Sequence, residues 1–187
     1  TILILGSDSR ISAGDPASWA VGAQRTDAIM MLHIPANRKN VQLVSIPRDV
    51  WVAIPGHGNN KINAAFSFGG PSLMVSTVEQ LTDVRINHVA IADFTSFTEL
   101  TDALGGVTLD DQQMDGAQAL KYVRQRHALA RGDLDRVQRQ QGWIVAVTDK
   151  LASKGTLTHP VRLNNVMNTL TSSLAVDERF TGAKMRS

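Results

Sequence analysis

Residues 27–46 read DAIMMLHIPANRKNVQLVSI, and this stretch predicts the centre of the fold. Two apolar runs, 27–34 and 41–46, flank the sequence PANRKN, whose residue types are typical of a turn. Two such runs joined by a short turn predict a β-hairpin. Both runs are mostly apolar, as expected of strands covered on both faces. The stretch therefore predicts two neighbouring strands inside a sheet that helices cover.

The flanking segments mix further strands with helices. Residues 1–5 and 86–92 are short apolar runs next to polar sequence, which predicts two more strands. Pro71 before one apolar segment, Gly105-Gly106 after another and Asp115 before a third are helix-end signals. The predicted helices span 73–81, 95–104, 115–120, 133–151 and 163–174. The pattern predicts one α/β domain over residues 1–187, with a mixed central sheet covered by helices in three α-β-α layers.

Composition excludes several classes of function. The chain has 187 residues, of which 43% are apolar and 19% charged, as in folded globular proteins. It contains no cysteine, which excludes disulfides, cysteine-ligated zinc and a thiol nucleophile. No GxSxG, GxGxxG, Walker or HExxH motif occurs. The formal net charge of only +2 argues against the broad basic face that binds nucleic acid, so an anion site must be a local cluster.

Charged residues stand at the ends of three predicted strands. In open α/β sheets, ligands bind beyond the carboxyl ends of strands. Two carboxylates among arginines predict a Mg²⁺ site shared with phosphate oxygens, whereas a single Asp–Arg pair is more often a structural ion pair. Lys61, after a glycine-rich loop, is a weaker candidate donor. The strand-end residues are Asp8 in GSDSR, Arg25 and Asp27 in RTD, and Arg48 and Asp49 in SIPRD.

Residues 122–141, YVRQRHALARGDLDRVQRQQ, contain five arginines and no lysine. Arginine has a planar, permanently charged fork that matches phosphate oxygens two at a time. Arg124 and Arg126 are two residues apart, so they point the same way with Tyr122 if the segment is extended, and diverge if it is helical. Because the helix from Asp115 is expected to end before His127, the extended form is predicted. The alternative is a solvated charge pair at a helix end.

The helix predicted from residue 133 carries a mixed stripe. Steps of three or four place Asp133, Arg136 and Gln140 on the same face as the apolar positions Ile144, Val147 and Leu151. One interpretation is that the first two turns overhang the core and meet water. The other is a polar cleft above an apolar core, with Arg136 directed into it. Arg131 and Arg139 are predicted to be surface charge.

Several motifs in a fixed order resemble one family. They are LGSDSR, RTDAIMMLHI, SIPRDVWVAIPG, KINAAFSFGGP, DFTSFTELTDALGGV and DGAQALKYVRQRH…GDLDRVQRQQ. Together they resemble the LytR-CpsA-Psr family of cell-wall glycopolymer transferases, over roughly residues 1–152. Between GGVTLD and MDGAQAL, where the family has a longer loop, only Asp111, Gln112 and Gln113 intervene. Either this connection is short or residues are missing near 110–114.

The resemblance implies an activity and a set of roles. Such proteins are metal-dependent phosphotransferases that move a glycan from a polyprenyl-pyrophosphate carrier onto peptidoglycan. The resemblance leaves open whether the chain also has pyrophosphatase activity. It implies Asp8 and Asp27 as ligands of Mg²⁺, or of Mn²⁺. It also implies a lipid tunnel, with Phe66, Phe68, Val89, Ile91 and the 144–151 stripe as candidates that core packing explains equally well. The implied catalytic residues are Arg48, Arg124, Arg126, Arg136 and Asp133, and the implied pyrophosphate-binding residues are Arg25, Arg48, Lys61, Arg124, Arg126, Arg136 and Gln140.

The resemblance also implies a location. Family members have one N-terminal membrane helix and an extracellular domain, so we expect an anchor upstream of residue 1 that places this domain outside the cell membrane. The expected partners are the lipid-linked glycan and peptidoglycan, and not nucleic acid. Two rival functions stay open: a non-catalytic polyprenyl-phosphate-binding or regulatory module, and a nucleic-acid-binding domain that uses residues 121–141. The near-neutral charge elsewhere argues against the second.

Overall fold

The structure is a computed structural model, and it describes residues 1–7, 26–35, 40–125, 133–152, 168 and 175–176, with the backbone alone at 133, 152, 175 and 176. These residues fall into two compact units. The first comprises Thr1–Asp93 and Leu174–Ser187, and the second Phe94–Ser173. The elements are β1 (Ile2–Ser7), β2 (Thr26–His33), β3 (Gln42–Ile46), β4 (Trp51–Ile54), β5 (Gly58–Lys61), α1 (Asn63–Thr82), β6 (His88–Ala92), α2 (Phe94–Ala103), β7 (Val107–Leu109), β8 (Gln112–Met114), α3 (Gly116–Arg124), α4 (Asp133–Ala152) and β9 (Ala175–Val176).

The first unit is built on a five-stranded sheet in the order β3-β2-β1-β6-β9. The predicted hairpin is confirmed, because β2 and β3 pair antiparallel with Leu32 opposite Leu43. The pair β1–β6 is parallel and the other pairs are antiparallel, so the sheet is mixed and the α/β class is confirmed. The single-domain prediction stays a prediction. The core of this unit includes Leu3, Leu5, Ile29 and Ile91 from the strands and Phe66, Met74 and Val78 from α1.

Helix α1 is longer than its sequence predicts. The predicted segment 73–81 is helical, but α1 begins at Asn63 and is kinked at Gly69 and Gly70. Gly70 has φ 62° and ψ −154°, a conformation open essentially to glycine alone. Pro71 then begins the second helical segment, where a missing N–H costs little. The FGGP sequence therefore bends one helix instead of separating a loop from a helix.

The second unit contains α2, α3, α4 and the β7–β8 hairpin. Gly105 and Gly106, with φ 75° and 82°, end α2 as predicted. Asp115 caps α3 in a reciprocal capping box with Gln118, and α4 begins at the predicted Asp133. Leu100, Leu104, Val107 and Val147 belong to the core of this unit. Of the predicted helix 163–174, the described residues include only Asn168, which is helical.

The connection near 110–114 is a two-residue β-turn. Leu109 pairs with Gln112, and the intervening Asp110 and Asp111 have φ 47° and 60°. Two adjacent positive φ values are typical of the type I′ turn that joins tightly paired strands. The short connection is therefore a closed hairpin in this chain.

None of the helices in the described ranges combines the length and the apolar character that a membrane span requires.

Candidate functional site

Asp27 and Arg48 meet at one end of the sheet of the first unit. Asp27 lies at the start of β2 and Arg48 two residues after β3, and antiparallel pairing brings these ends together. Arg48 Nη1 donates to Asp27 Oδ1, and the two side chains are 25% and 30% exposed. This contact brings together two of the charged residues that the sequence places at strand ends.

A β-bulge explains why Asp27 is available at this end. Gly6 pairs with Ala28 and Ser7 with Thr26, so Asp27 is the additional residue of β2. Bulges bend a strand locally and re-aim a side chain, and they are frequent beside binding sites. Asp27 is thus displaced from the regular ladder next to two buried residues, Ser7 and Thr26.

Asp49 connects this pair to Lys61. Lys61 Nζ donates to Asp49 Oδ1 at 2.7 Å, and Asp49 Oδ2 lies 3.5 Å from Arg48 Nε. The hydrogen bond from Lys61 is the main cause that lowers the pKa of Asp49 below 3.8, against a smaller opposing effect of desolvation. Lys61, Asp49, Arg48 and Asp27 therefore form one chain of alternating charge. The sequence placed Asp49 beside Arg48, but nothing in it indicated the link to Lys61.

Arg124 does not lie in an extended segment. Helix α3 continues through Arg124, so the prediction that Tyr122 and Arg124 project together from an extended chain is wrong. The capping box stabilises the helix start, and Lys121 and Arg124 in its last turn interact favourably with the helix dipole. The Arg124 guanidinium instead lies over the Phe94 ring, 4.1 Å from its centroid, a cation–π contact that orients it.

Arg136 is buried on the inward stripe of α4. It is 5% exposed, beside Ile144 at 8% and Val147 at 7%. The interpretation in which this face of the first turns meets water is therefore wrong for Arg136, while Gln140 on the same stripe is half-buried. A cation loses its hydration on burial, and only anionic or hydrogen-bonding groups offset that cost. Arg136 is thus a buried cation of the second unit, and its role as a pyrophosphate-binding residue stays a prediction.

Arg139 is a structural residue and not the surface charge that the sequence predicts. Its guanidinium lies 4.3 Å from the centroid of the Tyr122 ring and donates to the Tyr122 carbonyl oxygen and to Gln125 Oε1. The Tyr122 hydroxyl in turn donates to Asp110 Oδ2 at 2.5 Å. This cluster ties α4, the end of α3 and the β7–β8 turn together, and so holds the helix end that carries Arg124.

Tyr122→Phe tests this cluster through the pH dependence of stability. Burial and then the bond to Asp110 raise the pKa of Tyr122 above 10.0, because both disfavour the phenolate. The unfolded chain therefore loses the proton first, and the stabilisation present below pH 10.0 is lost as pH rises through the higher folded pKa. We expect the variant to be less stable by about 1 kcal/mol at pH 8. Urea unfolding at pH 8 and 11 should show the difference shrinking, and a constant difference would contradict this role.

The remaining predicted residues lie outside what the structure describes. These are Asp8, Arg25, Arg126 and Arg131. Asp133 lies at the start of α4, where only its backbone is described. In the described ranges, no three His, Cys, Asp or Glu side chains form a group that could hold a metal ion. Because Asp8 is not among those residues, the two-carboxylate magnesium site stays a prediction.

The first unit has a mixed α/β sheet with an Asp–Arg pair at one end, and the second unit has a buried arginine. The chain belongs to the LytR_cpsA_psr family, whose profile matches residues 1–114 and 110–185. The two matched segments overlap at residues 110–114, which include the β7–β8 turn and β8.

Named relatives and solved structures agree with this membership. The chain is 40% identical over 196 residues to the probable cell wall biosynthesis protein LcpB of Corynebacterium glutamicum, covering 90% of this chain and 47% of that protein. It is 34% identical over 199 residues to the polyisoprenyl-teichoic acid–peptidoglycan teichoic acid transferase TagU of Oceanobacillus iheyensis, covering 95% and 59%. The structure of TagT bound to LI-WTA superposes with a TM-score of 0.75 at 29% identity, covering 98% of this chain and 71% of that one. The chain spans about half the length of the curated relatives it matches.

Proposed function

We propose that this chain is the catalytic domain of a phosphotransferase that moves a glycopolymer from a polyprenyl-pyrophosphate carrier onto peptidoglycan. The observation that carries the proposal is the Asp27–Arg48 pair at a strand end, in a chain 34% identical to a named teichoic acid transferase over 95% of its length. The buried Arg136 is proposed as a second anion-binding group. The same assignment places the domain outside the cell, next to the membrane that holds its lipid-linked donor.

The proposed reaction transfers one phosphoryl-linked glycan. An acceptor hydroxyl oxygen of peptidoglycan attacks the phosphorus that bears the glycan, and a new P–O bond forms. The bond from that phosphorus to the bridging oxygen breaks, and polyprenyl phosphate leaves with the electron pair. The hydroxyl proton passes to a base, for which Asp8 and Asp133 are the candidates. With water as the acceptor, the same bond cleavage is a pyrophosphatase reaction.

Fixed positive charge is the main contribution of this chain to lowering the barrier of the proposed phosphoryl transfer. Negative charge accumulates on the leaving phosphate, and preorganised donors stabilise it without reorganising during the step. Arg48, Arg124 and Arg136 have guanidinium groups suited to paired phosphate oxygens, while Arg25, Arg126, Lys61 and Gln140 are proposed to bind the pyrophosphate with them.

The carboxylate oxygens of Asp27 and Asp8 fit a hard divalent cation. Asp27 lies at the sheet end with its side chain 30% exposed, and carboxylate oxygens are ligands that Mg²⁺ prefers. Mg²⁺, or Mn²⁺ in its place, would supply charge neutralisation on the phosphate oxygens.

A transfer assay tests the proposed function. Purified protein is mixed with a short-chain prenyl-pyrophosphate glycan, peptidoglycan and Mg²⁺, and both prenyl phosphate release and glycan attachment are measured. We expect both products to appear together and to disappear with EDTA. Binding of the lipid without metal-dependent release would assign the chain to the class of lipid-phosphate-binding or regulatory modules instead.

A further inference from the structure

One face of the β4–β5 ribbon combines an indole, an amide and an ammonium group. Trp51 pairs with Lys61 and Ala53 with Asn59, so these four side chains share a face. All four are exposed, and Trp51 is 65% exposed. The alternate residues Val52 and Ile54, 7% and 2% exposed, anchor the opposite face in the core. We call the set Trp51, Ala53, Asn59 and Lys61 the ribbon face.

The ribbon face is continuous with the Asp27–Arg48 pair. A single exposed apolar residue needs no explanation, so the argument rests on this continuity. Lys61 of the ribbon face holds Asp49 at 2.7 Å, and Asp49 adjoins Arg48 at 3.5 Å between Oδ2 and Nε. A molecule that lies along Trp51 and Lys61 therefore ends beside Arg48, the residue proposed to bind the reacting pyrophosphate.

We propose that the ribbon face binds the acceptor glycan, an extended chain of amino sugars, and so positions its hydroxyl for attack. This inference rests on the proposed function. A sugar ring has an apolar C–H face that fits the indole of Trp51, while its hydroxyl and acetamido groups match the amide of Asn59 and the ammonium of Lys61. A ligand of this kind needs one flat apolar contact flanked by hydrogen-bonding groups, which is what the pairing of β4 and β5 places on one face.

Charge favours a glycan over a lipid surface. Tryptophan with lysine is also typical of membrane contacts, but anionic lipids attract clusters of uncompensated basic residues. On this ribbon the charge of Lys61 is compensated by Asp49, whose lowered pKa keeps it ionised at neutral pH. The ribbon face is therefore close to neutral, as expected for binding a hydroxyl-rich polymer.

Binding of soluble peptidoglycan glycan strands, measured by calorimetry without any lipid donor, tests the inference. We expect Trp51→Ala to weaken binding about tenfold, because an aromatic contact is lost. Trp51→Tyr should restore most of the affinity, since its ring can stack in the same way. Leu81→Ala is the matched control, because Leu81 is also an exposed apolar residue of this unit, at 45%. Its glycan affinity should equal that of the unaltered protein.

Equal glycan affinity in Trp51→Ala and the unaltered protein would overturn the inference. The inference would also be overturned if Trp51→Ala lost binding to phosphatidylglycerol vesicles but kept its glycan affinity. The ribbon face would then be a membrane contact. Turnover of the lipid donor by the unaltered protein is measured separately. If turnover is absent while glycan binding depends on Trp51, the proposed transferase function fails and the assignment of the ribbon face stands.

Discussion

Arg48→Ala is expected to lower the rate of glycan transfer about 100- to 1,000-fold, the usual cost of removing one preorganised donor from a developing anion. The effect is large because Arg48 belongs to the Asp27–Arg48–Asp49 chain of charges, which holds its guanidinium in one place at the sheet end. Arg48→Lys keeps the charge but loses the planar fork, so an intermediate rate is expected. The rate of prenyl phosphate release in a single turnover is measured for the unaltered protein, Arg48→Ala and Arg48→Lys.

The control for Arg48 is Arg85→Ala. Arg85 is an exposed arginine of the same unit that has no role in the proposed site, and its replacement should leave the rate within about twofold, as for most surface substitutions. Circular dichroism and the thermal midpoint establish that each variant is folded. A folded Arg48→Ala protein with normal turnover would show that the Asp27–Arg48 pair is only a structural ion pair.

Arg136→Met is expected to lower kcat/KM about 100-fold per folded molecule, because a preorganised donor to the developing anion is lost. Methionine retains much of the side-chain volume of arginine, but removing one member of a buried polar contact leaves its partner uncompensated, so the free energy of unfolding should also fall. Activity is therefore compared per folded molecule. Urea unfolding and steady-state kinetics on the same preparations measure both quantities.

Lys121→Met is the matched control for Arg136. It also replaces a cation by methionine in the second unit, but Lys121 is exposed in the last turn of α3. Both kcat/KM and stability should change little. If Arg136→Met were destabilised by several kcal/mol but active per folded molecule, Arg136 would be part of the structural framework and not of the anion site.

The elements with strong local signals were predictable from the sequence. The β2–β3 hairpin follows from two apolar runs around a turn sequence, and the start of α3 from the Asp115 cap. The first half of α1 was not predictable, because residues 63–68 precede a Gly-Gly-Pro sequence that usually ends an element. Packing of Ala65 and Phe66 into the core of the first unit stabilises a helix there that local signals do not indicate.

The candidate site was predictable by residue type more than by conformation. Asp27 and Arg48 could be paired in advance, because antiparallel strands bring the start of one beside the end of the next. The conformation of Tyr122 and Arg124 could not be predicted, since it depends on where α3 ends. The partners of Arg139 are 14 to 17 residues earlier in the chain, so no local spacing indicated that it would be structural.

The sequence by itself determined the α/β class, the family and the identity of the charged residues, because these depend on patterns and motifs that are local along the chain. Only the tertiary structure decided which charges are in contact and which are buried. It linked Lys61 to Arg48 through Asp49, placed Arg124 over Phe94 and buried Arg136 to 5% exposure. The physical reason is that ion pairing and desolvation depend on distances and solvent access between segments far apart in the chain.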